Sequence, residues 1–394
     1  MRIACVGGGP AGLFFSILAS RLGKGHQVTV YERSPAGVTY GWGVVFWNDL
    51  LAQLDARDPL TAQAVRARAY RWEDQLLDVS GRALVRTPGH GYSMARQTLL
   101  ELLAERATDL GVDIRYEHEV RDPSDVGNVD LVIACDGVNS ALRARGRDSF
   151  GTTVVQGSNR YMWLGTSRVF DSFTFPFTRT GAGWIWAHAY GFNSDTSTFV
   201  VETTPETWRG LGFDRMAADT TLRRLEEIFA DPLEGHPLQP QAGTRDVAPW
   251  LQFRGVTNKR WHSGPVVLMG DAAHTTHFTI GSGTRLALED AMALADALTD
   301  CDDLDRALES YGRRRRAALR TTLRSAANSA RWFEHLPRHI DHDRFGDLLL
   351  RRRSAVQSHL PPGAFLLLSD AALSVPAITD PVRRAVARLL STPA

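Results

Sequence analysis

Arg2-Ile3-Ala4-Cys5-Val6-Gly7-Gly8-Gly9-Pro10-Ala11-Gly12 is the stretch that decides the fold. Ile3 to Val6 is apolar without polar alternation, the pattern of a buried parallel strand. Leu13 to Leu22 continues as an apolar helix. Between them Gly7 permits a tight turn, and Gly9 lets the backbone approach a pyrophosphate. Gly12 allows close helix–strand packing, and Pro10 and Ala11 form the helix N-terminus that an anion would face. A second strand, Gln27 to Tyr31, runs into Glu32 and Arg33. A carboxylate at Glu32 suits a free ribose diol. This order points to a dinucleotide site, with a glycine turn lacking any ligand as the alternative. It does not choose between FAD and NAD.

Working outward, three further segments have the same character. The helix Arg96 to Leu110 begins on an arginine. The strand Asp130 to Cys135 delivers Asp136-Gly137 at its carboxyl end, where ligands of open α/β sheets collect. The strand Val266 to Met269 delivers Gly270-Asp271-Ala272-Ala273-His274, and Gly281-Ser282-Gly283-Thr284 then heads the apolar helix Leu286 to Leu298. Asp271 at a strand end can accept hydrogen bonds from a polyol; a helix-capping turn is the other reading. From Ser158 to Phe253 short aromatic and β-branched runs, among them Tyr161–Leu164, Phe173–Phe177, Trp184–Tyr190 and Thr198–Glu202, predict an antiparallel sheet. After Ala307 the chain reads as helical and Arg-rich.

Composition narrows the function classes. The 394 residues are 43% hydrophobic and 23% charged, as in an ordinary globular protein. A net charge of +1 provides no field for nucleic acid or an anionic membrane. Cys5, Cys135 and Cys301 are too few and scattered for a disulfide framework or a zinc cluster, so no metal is expected. With no apolar run of membrane-spanning length and a strand directly at the N-terminus, the expectation is a soluble, cytoplasmic monomer or homodimer.

The chain resembles the single-component flavoprotein aromatic hydroxylases of the para-hydroxybenzoate hydroxylase-like fold. Four ordered motifs carry the resemblance: Gly7-x-Gly9-x-x-Gly12 with Glu32; Arg96; Asp136-Gly137-x-x-Ser140-x-x-Arg143; and Gly270-Asp271. It implies an α/β fold: a Rossmann-like FAD-binding domain with an inserted antiparallel β-sheet substrate domain and a helical C-terminal region. The expected divisions are 1–157 for the FAD part, with a substrate-side excursion near 70–92, then 158–255 for the sheet domain. Residues 256–330 return to the FAD domain, and 331–394 form the helical C-terminal region. The resemblance also implies that Asp271 binds the ribityl chain, that Arg96 lies near the flavin phosphates and ribityl chain, and that Asp136-Gly137 serves FAD and a transient NADH or NADPH. Oxygen transfer through a flavin C4a-hydroperoxide follows from it.

Gly41-Trp42-Gly43-Val44-Val45-Phe46, Asn159 to Thr166 and the Gly281–Ala287 stretch, with His277-Phe278-Thr279-Ile280 where the wider family has prolines, resemble a narrower subgroup. It contains the salicylyl-CoA 5-hydroxylases, the aminobenzoyl-CoA monooxygenases and the violacein-pathway tryptophan hydroxylases. Its CoA-thioester members point to 5-hydroxylation of an aromatic CoA thioester such as salicylyl-CoA, using O₂; tryptophan or another indole is the alternative substrate. Backbone amides of Gly281, Ser282 and Gly283 would then present positive dipole to the flavin's N1–C2 edge. Phe278 could wall the ring. His277 could take a phenol proton, given an ordinary histidine pKa of about 6.5, with a loop histidine bonded to backbone as the alternative. Trp163, Trp186, His188 and Tyr190 are the substrate-side candidates, Trp186, His188 and Tyr190 alternating on one strand; sheet core is the competing reading for each. Arg313–Arg316, Arg320, Arg324 and Arg351–Arg353 would offer phosphate contacts for a CoA tail, or simply solvated charge.

Two rival classes differ in chemistry. Trp184-Ile185-Trp186 matches part of the flavin-dependent halogenase signature, but Ala187-His188-Ala189 follows, and neither of the two lysines, Lys24 and Lys259, is well placed for halogen transfer. A non-catalytic flavin-binding protein is the other.

Overall fold

The computed structural model describes residues 1–241 and 249–374. Residues 242–248 of the expected sheet domain and 375–394 of the expected C-terminal region lie outside the described residues. The first sheet has six strands in the order His262–Ser263, Val266–Leu268, Leu131–Ala134, Arg2–Val6, Gln27–Tyr31 and Asp113–Arg115. All its neighbours are parallel except the hairpin at the His262–Ser263 edge. Its central strands are buried throughout Ile3–Val6 and Leu131–Ala134, which explains their lack of polar alternation. Helices Pro10–Arg21, Arg96–Asp109 and Gly283–Asp300 pack into the same core.

An eight-stranded sheet forms the second layer, in the order Leu238–Gln239, Arg160–Thr166, Ser197–Thr203, Gly183–Gly191, Phe173–Thr180, Tyr70–Val79, Val85–Ala95 and Gly43–Phe46. Three of these strands thus come from residues 43–95, before the expected sheet segment. The sheet is antiparallel with one exception: Phe173–Phe177 runs parallel to Gln75–Val79. That pairing joins the early strands to the later ones. A two-stranded ribbon, Thr152–Gln156 with Arg254–Asn258, connects the layers in the chain.

Period-two alternation assigns the two faces of this sheet. On one face Met162, Leu164, Ile185, Ala187, Phe199 and Val201 pack on Leu222 and Leu225 of the helix Ala218–Ile228. On the other, Phe175, Phe177, Trp184 and Trp186 meet Trp332, Phe333, Phe345 and Phe365 from the C-terminal helices. Trp332 and Phe333 stand at the end of a 31-residue helix, Leu304–Glu334. The C-terminal region therefore covers the aromatic face of the sheet.

Candidate functional site

Strand ends build one cleft. Val6, Tyr31 and Ala134 each end a parallel strand of the first sheet, and Leu268 ends the one beside them. The residues that follow converge, as the topology of an open α/β sheet requires. Gly7, Gly9, Glu32, Arg33, Arg96, Asp136, Gly137 and Asp271 line a single cleft.

The glycines differ in what they do there. A Cβ on Gly7, at φ +119°, would stand 2.3 Å from the Cys135 carbonyl oxygen. One on Gly12 would stand 2.2 Å from the Gly7 carbonyl oxygen and 2.8 Å from Cys135 Sγ. Both are demanded by packing. Around the corresponding position at Gly9 nothing lies within 4 Å, so that glycine keeps open a space that a side chain would fill. Pro10 and Ala11 are buried in the first helical turn behind it.

The acids of the cleft hold its shape and leave acceptors over. Glu32 accepts from the Gly8 amide and the Ser34 amide, both at 2.8 Å, and so fixes the glycine turn. Asp136 Oδ2 accepts from the Ala141 amide at 2.8 Å, while its Oδ1 is buried with no partner. Burial pushes that carboxyl above its ordinary range. Asp271 remains accessible from the cleft, within electrostatic reach of Arg96 and Arg143. Arg96 is half-buried, with Nε donating to Thr39 Oγ1 at 3.2 Å. An open cradle at Gly9, an orphaned acceptor at Asp136 and an accessible carboxylate at Asp271 fit a pyrophosphate-linked polyol such as FAD.

A buried network, not foreseen from the sequence, fixes the Gly270-Asp271 turn. Asp290 is fully buried and accepts from the Gly270 amide at 3.0 Å and from Arg315 Nε at 2.7 Å. His274 Nε2 lies 2.8 Å from the same carboxylate. Burial alone would raise the Asp290 pKa; His274 and Arg315 outweigh it and hold the carboxyl below the usual range. Arg143 ties the two acidic turns together, donating to Ala272 O at 3.1 Å and Val138 O at 2.6 Å. Arg315 is therefore an internal counter-ion and not a free phosphate contact. Of the same run Arg314 pairs with Asp300, and Arg313 is exposed, as are Arg320 and Arg324.

Gly281, Ser282, Gly283 and Thr284 stand at the head of the helix Gly283–Asp300, outside the lining of the cleft. Gly281, at φ +62°, has room for no side chain: a Cβ would lie 2.7 Å from Val45 Cγ2. His277 and Phe278 precede this turn. His277 is buried, with Nδ1 3.0 Å from Thr279 Oγ1 and its ring edge-on to Phe253. Burial pushes its pKa down to about 4, so the imidazole is neutral at neutral pH and a weak base there. Phe278 is half-buried, its ring centroid 4.8 Å from Tyr161 and 5.6 Å from His188.

Trp163, Trp186, His188 and Tyr190 share the sheet face covered by the C-terminal helices, but in different settings. Trp186 is fully buried and stacks on Phe333 at 5.8 Å, a core position. The Tyr190 hydroxyl donates to Gly43 O at 2.8 Å and ties two strands together. Trp163 packs over Gly41, where a Cβ would come within 3.1 Å of its ring. His188 is the one that meets Phe278. Its Nε2 lies 3.2 Å from Glu202 Oε2. Glu202, a buried acid absent from the expected site, also accepts from Trp186 Nε1 at 3.0 Å and Asn159 Nδ2 at 2.8 Å. Its pairing with Trp186 and Tyr161 across three strands is what brings it to this face. Such register is invisible in a linear pattern.

Comparison with known proteins agrees with this geometry. Residues 1–326 match the family described as FAD binding domain. The chain belongs to that family. It is an FAD-dependent monooxygenase, and FAD is its cofactor. It is 39% identical over 350 residues to a salicyloyl-CoA 5-hydroxylase of Streptomyces sp, an alignment covering 86% of this chain and 66% of that protein. It is also 39% identical over 338 residues to the 3-hydroxy-4-methyl-anthranilyl-[aryl-carrier protein] 5-monooxygenase of Streptosporangium sibiricum, covering 86% and 90% respectively. The fold is that of 2-methyl-3-hydroxypyridine-5-carboxylic acid oxygenase, with a TM-score of 0.70 at 20% identity over 91% of this chain and 97% of that one. Among the described residues no helix is long and apolar enough to cross a membrane.

Proposed function

We propose that this enzyme hydroxylates an aromatic acyl thioester at the ring carbon para to an ortho hydroxyl or amino group. Salicylyl-CoA, converted to its 5-hydroxy product gentisyl-CoA, is the specific reaction. The balance is ArH + O₂ + NAD(P)H + H⁺ → ArOH + H₂O + NAD(P)⁺. The observation carrying this reading is that two relatives at 39% identity are both named for 5-oxygenation of an ortho-substituted aryl group held on CoA or on a carrier protein.

FAD, when bound, supplies the redox chemistry, taking two electrons from NADH or NADPH and activating O₂ for transfer to the ring. The chain's own residues bind, orient and protect. Gly7, Gly9 and Gly12 with the helix at Pro10 and Ala11 would hold the pyrophosphate. Glu32 and Arg33 would meet the adenosine ribose, Arg96, Gly270 and Asp271 the ribityl side, and Asp136 with Gly137 the remaining polar edge. The amides of Gly281, Ser282 and Gly283 beside Thr284 would offer positive dipole to the isoalloxazine. Phe278 and Tyr161 would wall the aromatic guest and exclude water, which protects an oxygen-transfer step from futile loss. His277, neutral in its buried setting, would position Thr279 and Phe278 and would be only a weak base at neutral pH.

The test is substrate-stimulated NADH and NADPH oxidation by the FAD-loaded protein with salicylyl-CoA, 2-aminobenzoyl-CoA and tryptophan, with product identified by mass. A gain of one oxygen on the thioesters is expected. Stimulation by tryptophan alone would sink the thioester reading, and coenzyme oxidation indifferent to every aromatic would sink the hydroxylase.

A further inference from the structure

Arg352 lies beyond the family-matched residues 1–326, just after the helix Phe345–Leu350. It is 8% exposed. Nη1 donates to Leu349 O at 2.9 Å and Nη2 to Thr279 O at 3.1 Å, the latter in the loop that leads to Gly281. Its Nε is buried with no hydrogen-bond partner, and among the described residues the one charge that acts on it is the cation Arg353. Instead its guanidinium carbon stands 5.8 Å from the ring centroids of both Phe175 and Phe333. The adjacent cation Arg353 makes its electrostatic setting worse: burial first, then Arg353, push the Arg352 pKa down to about 9.

A buried cation without a counter-charge costs several kcal/mol, so its retention calls for something that repays the desolvation. The same two rings frame a complementary group. His188 lies 5.5 Å from Phe175 and 5.2 Å from Phe333, and 5.6 Å from Phe278. With Nε2 donating to Glu202, its Nδ1 is an acceptor. A spare donor on Arg352 and an acceptor on His188 thus flank the same pair of aromatic rings, beside the loop that leads to Gly281.

We propose that Arg352 is a specificity-determining residue whose free Nε–H takes the carbonyl oxygen of the aromatic guest, while His188 accepts from that guest's ortho hydroxyl or amino group. An ortho-hydroxy- or ortho-aminobenzoyl group presents this acceptor and donor on adjacent ring carbons. The inference deepens the aryl thioester reading and rests on it for the identity of the natural substrate. The recognition of an oxygen acceptor by Arg352 can be tested without any thioester.

Full-length FAD-loaded protein is titrated calorimetrically with salicylate, salicylamide and salicyl alcohol, which share a ring and a phenol but differ in the acceptor. The native protein is expected to bind the first two at least about tenfold more tightly than the alcohol, the scale of one charge-assisted hydrogen bond. Arg352→Met and Arg352→Gln should bring that preference to within about threefold, and Arg352→Lys should keep part of it. A residue that merely clamps the loop would lower Tm and weaken all three ligands together, leaving their ratio intact; that result, or a native protein without preference, overturns the proposal. If Arg352→Met does not fold, the Gln variant, which can still donate to a loop carbonyl, decides. Failure of salicylyl-CoA turnover with an intact, Arg352-dependent preference would refute the substrate and not the residue.

Discussion

At the scale of the residue, two glycines three positions apart in one motif behave differently because their surroundings differ. Gly12 is closed in by backbone at 2.2 Å, whereas Gly9 faces empty space. Gly12→Val should therefore lower Tm steeply or abolish folding, as overpacking against backbone does. Gly9→Leu, at an extended φ of −80° that any residue adopts, should leave Tm of the apoprotein within a few degrees and remove flavin. Absorbance of the purified variants checks both; a yellow Gly9→Leu protein would show that the pyrophosphate lies elsewhere. His277 makes a pH prediction. Its folded pKa of about 4 lies below the ordinary 6.5, so between these values the unfolded chain binds more protons. Stability then rises with pH from 4 to 6.5 and is flat above, a contribution on the order of 3 kcal/mol. His277→Asn, which keeps an acceptor for Thr279, should flatten part of that slope in Tm measured across pH, and an unchanged slope would mean the imidazole is solvated.

At the scale of the element, the Gly270-Asp271 turn depends on side chains delivered by two helices. Asp290 on Gly283–Asp300 and Arg315 on Leu304–Glu334 meet only because the helices pack together. Asp290→Asn would leave Arg315 facing Glu289 alone, at 3.3 Å, and would weaken the hold on the Gly270 amide. Breaking a buried pair of this kind costs about 3–5 kcal/mol. The expected result is a lower Tm together with faster FAD release, although Asp290 does not line the cleft; Asp271→Asn, by contrast, should weaken FAD with little change in apoprotein Tm. Thermal melts and the rate of flavin fluorescence recovery on dilution separate the two. This element also marks what was legible in the sequence. The strand ends and their glycines were, because strand, turn and helix are written in contiguous residues. The Asp290 network was not, because its members are 16 and 25 residues apart and an acid in an apolar helix has no local signature. Glu202 was hidden for a related reason: at the end of an alternating strand it reads as an outward polar residue until register sets it opposite Trp186.

At the scale of the whole molecule, the C-terminal segment joins the two layers, and its run Arg351–Arg353 could not be told from solvated charge in the sequence. Burial of Arg352 arises only when Phe175 and Phe333, 158 residues apart, close around it. Ser329 Oγ, 2.9 Å from Thr279 Oγ1, anchors the loop that leads to Gly281 from the same long helix. Ending the chain at residue 326, where the family match stops, would remove Ser329, Trp332, Phe333, Phe345 and Phe365 and bare the face that carries Phe175, Phe177 and Trp186. Each buried aromatic side chain contributes roughly 1.5–3 kcal/mol, so loss of several from this cluster is comparable with the usual 5–15 kcal/mol stability of a domain. The truncated chain is expected to aggregate or to melt without a cooperative transition, in spite of retaining every motif of the nucleotide cleft. Near-ultraviolet circular dichroism and FAD titration of the truncated protein provide the check. A truncated chain that folds cooperatively and binds FAD normally would mean that the aromatic face is stable uncovered, and that the C-terminal helices serve the substrate alone.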